Sequence, residues 1–407
     1  MNFHVCVLAA LTICASAYAQ PVAGVGDDAA AMLEEIKRTY AYPERIEEGW
    51  ARRFRSLADR IDILETRSDL LDFAEEALHR LCDHHAITGP SSQRSAALVP
   101  SFADLWIEAA DADDYVISQV RQGSPAAHAD IRVGDRLLAV NGLPMPKAID
   151  RFWRGEPPQG ASCLSYAARV LASGPRNGLR ALSLQRDGAL FEAELDSLYN
   201  TDVERGDGPV SIRRFKDDIV YMRFNNSLGD SATIAAVDAV MLEAPSRTRF
   251  VIDLRDTASG GNTSVARAVL GHFTDTVQPY QRHSLPVEAR MTGVERSWIE
   301  EVSPRGKQAR KGVVLVGRWT GSMGEGMAVG FHALGVPIYG SQMAGLLGAN
   351  FDLKLGASGW IFRLPAERLS HIDGSPREAF VPEPLAEAGY SGPVDQLLEA
   401  ALARLRL

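Results

Sequence analysis

Ser322 lies in the stretch Lys311 to Gly335, KGVVLVGRWTGSMGEGMAVGFHALG. There an apolar run, Val313 to Val316, meets a glycine-rich turn and then Met327, Phe331 and Leu334 at helical spacing. The pattern predicts a buried strand, a sharp turn and a helix, with Ser322 at the helix N-terminus. A hydroxyl so placed can enter a cleft, where unpaired N–H groups and the positive end of the helix dipole favour a developing oxyanion. An N-cap serine is the other reading of the same residue, because serine is a preferred cap. Two more places hold chemistry. His84 and His85 close a predicted helix, where an imidazole serves either as a general base near neutral pH or as a cation suited to the helix dipole. Gly260 and Gly261 follow the apolar strand Phe250 to Leu254 and can offer backbone N–H groups to negative charge, or simply turn the chain. No Lys-Ser/Thr follows that pair and no GxGxxG is present, which argues against a nucleotide. His79 and Asp83 are spaced to share a helix face, but they have no third ligand nearby and no CxxC accompanies them, so neither metal nor cofactor is expected.

The elements that must position these groups fall into three regions. From Asp27 to about Thr88, Met32, Ile36 and Tyr40, then Trp50, Phe54 and Leu57, then Leu70, Phe73, Ala77 and Leu81 recur at helical spacing, with Thr66 and Asp69 at capping-box spacing. Between Pro100 and about Leu198, short β-type runs alternate with turns: Tyr115 to Val120, Val133-Gly-Asp135, Leu137 to Val140 and Asn141-Gly142. The insert Asp150 to Gly174 lengthens this region. From Val210 onward strands and helices alternate as in an α/β core, beginning with a strand at Ile219 to Phe224 and a helix at Ser231 to Leu242.

At 407 residues two or three domains are expected, and 46% hydrophobic with 23% charged residues is ordinary globular material. A net charge of −9 argues against nucleic-acid or anionic-membrane partners. Residues 2–19, uncharged and ending Ala17-Tyr18-Ala19, read as a secretory signal without its usual positive start, cleaved after Ala19. No other stretch approaches the ~18 apolar residues of a membrane span. An exported, periplasmic or secreted protein with no stable membrane span follows. Cys82 and Cys163 remain after cleavage, and the sequence leaves open whether they bridge.

The stretch GSPAAHADIRVGDRLLAVNG closely resembles a bacterial-type PDZ domain, which implies peptide binding by strand addition, although the loop from Ser101 to Ile107 lacks the glycines that cradle a carboxylate. Beyond it, Asp253-Leu-Arg255 with Gly260-Gly261, Thr320-Gly-Ser322-Met-Gly-Glu325 and Leu81-Cys-Asp83-His-His85 resemble, in this order of domains, the C-terminal processing (tail-specific) serine peptidases and their tricorn-core relatives. The resemblance covers almost the whole mature chain. It implies Ser322 as nucleophile and the N–H groups of Met323 and of Gly260 or Gly261 as oxyanion donors. The Ser-Lys branch carries a lysine where this chain has Leu346, and Lys354 does not match it. The tricorn-like branch implies His85 as base and Glu378 as its supporting carboxylate, direct or through water, with Glu383 behind it; that branch has a serine where this chain has His84.

The expectation is therefore an α/β multidomain protein. Residues 1–19 are the signal, 20–95 an N-terminal helical bundle, 96–205 a PDZ-like β domain and 206–407 a crotonase-like ββα peptidase core. As a function it implies a serine endopeptidase acting on peptides or unfolded protein tails, and otherwise a peptide-binding scaffold of the same fold without catalysis. Oligomeric state is not legible.

Overall fold

The computed structural model describes residues 23–46, 49–111, 113–156, 160–201, 203, 206–384 and 395–406, so the expected leader lies outside the described residues. The predicted helical faces form α1 (Val25–Thr39), α2 (Trp50–Ala58) and α3 (Arg67–His79). Met32, Ile36, Tyr40, Phe54, Leu57, Leu70, Phe73, Ala77 and Leu81 are all buried between them. The capping box is made: Thr66 Oγ1 accepts the Asp69 N–H at 3.1 Å and Asp69 accepts the Thr66 N–H at 2.8 Å. This bundle is not a separate body. Its core includes Leu347, Leu355, Phe362 and Leu364 from the far end of the chain, and β1 (Ile87–Thr88) pairs antiparallel with β16 (Ile361–Ser370). His85 therefore emerges from the bundle already attached to the C-terminal part of the core.

The middle domain runs β2 (Leu105–Ala109), β3 (Tyr115–Val120), α4 (Pro125–His128), β4 (Arg136–Val140), β5 (Leu143–Pro144), α5 (Met145–Phe152), α6 (Ala161–Ser173), β6 (Arg180–Arg186) and β7 (Ala189–Leu195). Its sheet order is β2-β3-β4-β6-β7 with β5 against β4. The insert that has no legible role in the sequence supplies α6, whose Tyr166, Ala167, Ala168 and Val170 pack onto Ile107, Leu137 and Leu182. A fully buried ion pair, Arg180 to Asp104 at 2.6 and 3.0 Å, ties the last strands to the first loop.

The core is a mostly parallel sheet, β14 (Ile338–Gly340), β13 (Lys311–Val316), β10 (Arg249–Asp253), β9 (Ile219–Phe224) and the antiparallel edge β8 (Val210–Phe215), in that order. Strand alternation sorts its residues. Val220, Met222, Phe250, Ile252, Val314 and Val316 face α7 (Ala232–Met241), α8 (Thr263–Leu270) and α10 (Met323–Ala333), while Ile219, Tyr221, Val251, Val313 and Leu315 face α11 (Gln396–Arg406). Both faces are covered, which explains why Val313 to Val316 reads as an unbroken apolar run. Arg255 pairs with both Asp253 and Asp395, anchoring α11. A second sheet that the residue pattern does not reveal, β1-β16-β11-β12 with β15 (Ala349–Lys354) against β16, adds β11 (Gln278–Ser284), α9 (Pro286–Thr292) and β12 (Ser297–Val302).

Candidate active site

Ser322 follows β13 through a turn locked by bonds to the segment after β10. Thr320 donates its hydroxyl to the Leu254 carbonyl at 2.8 Å, and the Gly321 N–H donates to Thr257 O at 3.0 Å. The turn thus lies against the exit of β10, and it fits only with glycine. A Cβ on Gly321 would stand 2.8 Å from Ala258 O, and one on Gly324 would stand 2.6 Å from Thr257 Oγ1. Ser322 takes φ 52° and ψ −112°, far from the extended backbone of an ordinary serine cap and unfavourable for any residue with a Cβ. Glu325, one turn on and wholly buried, fixes it there. Its Oε2 accepts the Ser322 N–H at 2.8 Å, and its carboxylate also accepts the N–H groups of Gly345 at 2.8 Å and Leu346 at 3.2 Å. Burial, the largest influence, pushes the Glu325 carboxyl up to about 7 against the opposing pull of Arg377 and those N–H donors.

The Ser322 hydroxyl meets the ring of His85, whose Nε2 lies 3.1 Å from Oγ across 237 residues of chain. His85 Nδ1 lies 2.6 Å from the Leu347 carbonyl. A carbonyl can only accept, so Nδ1 carries the proton and, in the neutral ring, Nε2 presents its lone pair to the serine hydroxyl. The loop around His85 is equally constrained: Asp83 Oδ1 accepts its N–H at 2.9 Å, Tyr40 donates to Asp83 Oδ2 at 3.0 Å, and Asn350 donates to the His85 carbonyl at 2.8 Å. Cys82 and Cys163 form a disulfide, tying the chain just before this loop to α6. Burial, helped by the positive charge of Arg377 and opposed by the Leu347 carbonyl, lowers the His85 ring to about 4. Burial also raises Asp83 to about 6 and holds His84 well below the histidine range. His84 stacks on Tyr166 with ring centroids 4.3 Å apart, and its Nε2 is buried without a partner among the described residues.

The two carboxylates expected near the base behave differently. Glu378 does not bond to the His85 ring directly, because the Leu347 carbonyl occupies the Nδ1 direction; Glu378 Oε2 is buried without a hydrogen-bond partner among the described residues. Glu383 pairs with Tyr339 at the edge of the parallel sheet. Leu346, in the place of the lysine, is buried in an apolar cluster with Trp106, Ala258, Trp319 and Ala344, and a Cβ on Gly321 would touch its side chain at 3.1 Å.

Gly260 and Gly261 follow β10 and are exposed. Gly261 passes so close to Leu228 that a Cβ would stand 2.7 Å from the Leu228 Cβ, which accounts for glycine there on backbone grounds alone. The N–H groups of both glycines and of Met323, the first residue of α10, donate to no acceptor among the described residues. Asn262 caps α8 through the Val265 N–H at 2.9 Å, and Asp256 pairs with Arg121 and Arg223, so both are loop hydrogen-bonders. Sequence reasoning missed the Leu347 carbonyl and the multiple grip of Glu325. Only the Ser-x-x-Glu spacing hinted at the second, and a main-chain acceptor carries no sequence signal.

Next to the Asp83-His84 segment a cavity of about 310 Å³ opens between β2, α6 and the 342–347 loop, with Arg169 and Arg318 also on its wall. Along it the free edge of β2 is already occupied. Arg169 Nε donates to Ile107 O at 2.9 Å and Ser165 Oγ accepts the Ala109 N–H at 2.8 Å, so a peptide adding as a strand must displace side chains of α6.

Residues 116–151 match the PDZ domain and residues 218–380 match peptidase family S41. No curated protein matches the sequence. Among solved structures, mature CPAF is similar with a TM-score of 0.60 at 14% identity over 94% of this chain and 95% of that one. The photosystem II D1 C-terminal processing protease is similar with a TM-score of 0.54 at 18% identity over 92% and 93%, and a putative peptidase from Parabacteroides merdae with 0.53 at 14% over 94% and 96%. At these identities the likeness is one of fold.

Proposed function

The chain belongs to peptidase family S41 and carries a PDZ domain, and from that premise we propose that it is an exported serine endopeptidase in which Ser322 is the nucleophile and His85 its base. The observation that carries this reading is the 3.1 Å contact of His85 Nε2 with Ser322 Oγ, made by a ring whose Nδ1 proton is committed to the Leu347 carbonyl. In the proposed reaction Ser322 Oγ attacks the scissile carbonyl and its proton passes to Nε2. The carbonyl oxygen becomes an oxyanion near the free N–H of Met323 and those of Gly260 or Gly261. The tetrahedral intermediate expels the amine, which takes the proton back from Nε2, and water repeats the sequence to free the acid. A carbonyl in place of a carboxylate behind Nδ1 orients the ring but stabilises the imidazolium less. The strained serine and the fixed geometry then carry more of the catalysis. The burial of Leu346 among apolar side chains favours histidine over a Ser-Lys pair.

Substrate is taken to be a peptide or an unfolded protein tail, in keeping with the PDZ domain, with the occupied β2 edge making that domain a gate rather than an open receptor. Export rests on the uncharged run 2–19. The test is labelling with a fluorophosphonate probe at pH 8 together with cleavage of a denatured protein. The reading requires labelling that vanishes in Ser322→Ala and falls at least 100-fold in rate in His85→Ala. Peptide binding by a protein that neither labels nor cleaves would replace it with a non-catalytic scaffold.

A further inference from the structure

Arg377 is 2% exposed and belongs to none of the motifs that mark the site. Its Nη2 donates to the Leu346 carbonyl at 2.8 Å and to the Gly348 carbonyl at 2.9 Å. Between those two carbonyls lies that of Leu347, which receives the His85 Nδ1 proton. The same loop presents the Gly345 and Leu346 N–H groups to Glu325, whose Oε2 holds the Ser322 N–H. One guanidinium thus grips the segment that orients the base on one side and the nucleophile on the other. Resting on the peptidase reading above, we propose that Arg377 is the positioning residue of the site, fixing the 346–348 carbonyls so that His85 and Ser322 stay in register.

Chemistry favours arginine for this task. Both bonds come from Nη2, whose two N–H groups are held in the guanidinium plane at fixed directions and so can meet two main-chain acceptors two residues apart, whereas an ammonium is a compact, freely rotating donor on a flexible stem. The groups facing His85 are few. Asp83 takes its N–H, with Tyr40 and Arg45 behind; Ser322 faces Nε2, with Glu325 behind; Glu378 lies near Asp83 and Tyr42; and Arg377 lies behind the 346–348 loop. Of these charges it is Arg377 that acts on the ring, lowering its proton affinity. The residue therefore leaves a signature that a merely structural arginine would not.

The experiment compares Arg377→Met, which loses the charge and the N–H donors, with Arg377→Lys, which keeps the charge but not the fixed planar N–H directions or the reach. Both should lower kcat on a peptide substrate and the fluorophosphonate labelling rate at least tenfold, with KM within threefold of the parent. The 15N spectrum of His85, recorded on full-length protein, should lose its Nδ1-protonated pattern in both. Its titration midpoint should rise by at least one pH unit in Arg377→Met and stay in Arg377→Lys. An unchanged tautomer pattern in a folded variant overturns the proposal. If Arg377→Met does not fold, Arg377→Lys decides through the tautomer pattern. Absence of labelling in the parent protein would refute the peptidase reading, while the 15N spectra would still decide the role of Arg377.

Discussion

Replacing Glu325 by glutamine tests the central idea that the nucleophile is held in a strained conformation by a buried carboxylate. The two oxygens of Glu325 receive three main-chain N–H groups, from Ser322, Gly345 and Leu346, and the side chain has no exposure to water. A glutamine of the same shape keeps one acceptor and puts an NH₂ group against the remaining donors. Losing one charge-assisted bond costs about 1.5–3 kcal/mol, and leaving a buried N–H unpaired costs about 1–3 kcal/mol. Because these overlap, Glu325→Gln is expected to lose about 2–4 kcal/mol of stability. The backbone of Ser322 at φ 52° stores about 1–3 kcal/mol of strain that relaxes once the clamp is gone, carrying Oγ away from His85. Labelling by a fluorophosphonate should then fall by about 10²-fold, the equivalent of nearly 3 kcal/mol. Urea unfolding and labelling rates at pH 8.5, above the value of about 7 to which the carboxyl is pushed, measure both. As pH falls through that value the unmodified protein should begin to lose activity while Glu325→Gln stays flat. A stability loss below about 1 kcal/mol with labelling within threefold of the parent would refute the reasoning.

Other outcomes follow from the same geometry. His85 has its proton affinity lowered to about 4, so it remains a free base well below the ordinary histidine range. The 15N titration of His85 in the unmodified protein should have its midpoint near pH 4; a midpoint near 6.5 would contradict the enclosed ring. Cys82 and Cys163 close a loop with a sequence separation of 81. By the chain-entropy relation the double Cys→Ala variant should lose about 4.5 kcal/mol. Urea titration checks this, and labelling should weaken as well because Cys82 lies just before the His85 loop. His283, partnered by Glu300 and Glu367 and stacked on Trp298, is raised to about 9: burial opposes the charged form, but hydrogen bonds to the two carboxylates prevail. A raised folded value means its stabilisation is complete below the unfolded value near 6.5 and is lost as pH rises through 9. Melting temperature should therefore drop between pH 7 and 10, and His283→Gln should flatten that drop.

Local rules made much of the protein legible from its residues. Helical spacing found the three N-terminal helices, the Thr66 capping box was made as read, and Ile219 to Phe224 and Tyr115 to Val120 are strands with those bounds. The turn at Ser322 was legible because glycine is needed wherever two backbones touch, as at Gly321 and Gly324. By contrast, β11 and β12 were not legible. Their runs mix polar and aromatic residues on a partly exposed sheet, so neither a period of two nor a fully apolar run stands out. The insert at Asp150 to Gly174 needed the sheet beneath it before its apolar face acquired a purpose.

The sequence by itself determined that Ser322 sits on a strand-turn-helix and that Leu346 cannot take a proton, because each is a property of side-chain type and short-range spacing; the histidines read as closing a helix lie instead in the turn beyond α3, which stops at His79. Only the tertiary structure decided that His85 rather than His84 meets the serine, since pairing of β1 with β16 and the Asp83 bond set which ring faces the turn. It alone replaced the direct support of Glu378 by the Leu347 carbonyl. Main-chain acceptors are the same at every residue, so which of them a distant ring will meet is fixed by folding and leaves no mark in the residue types.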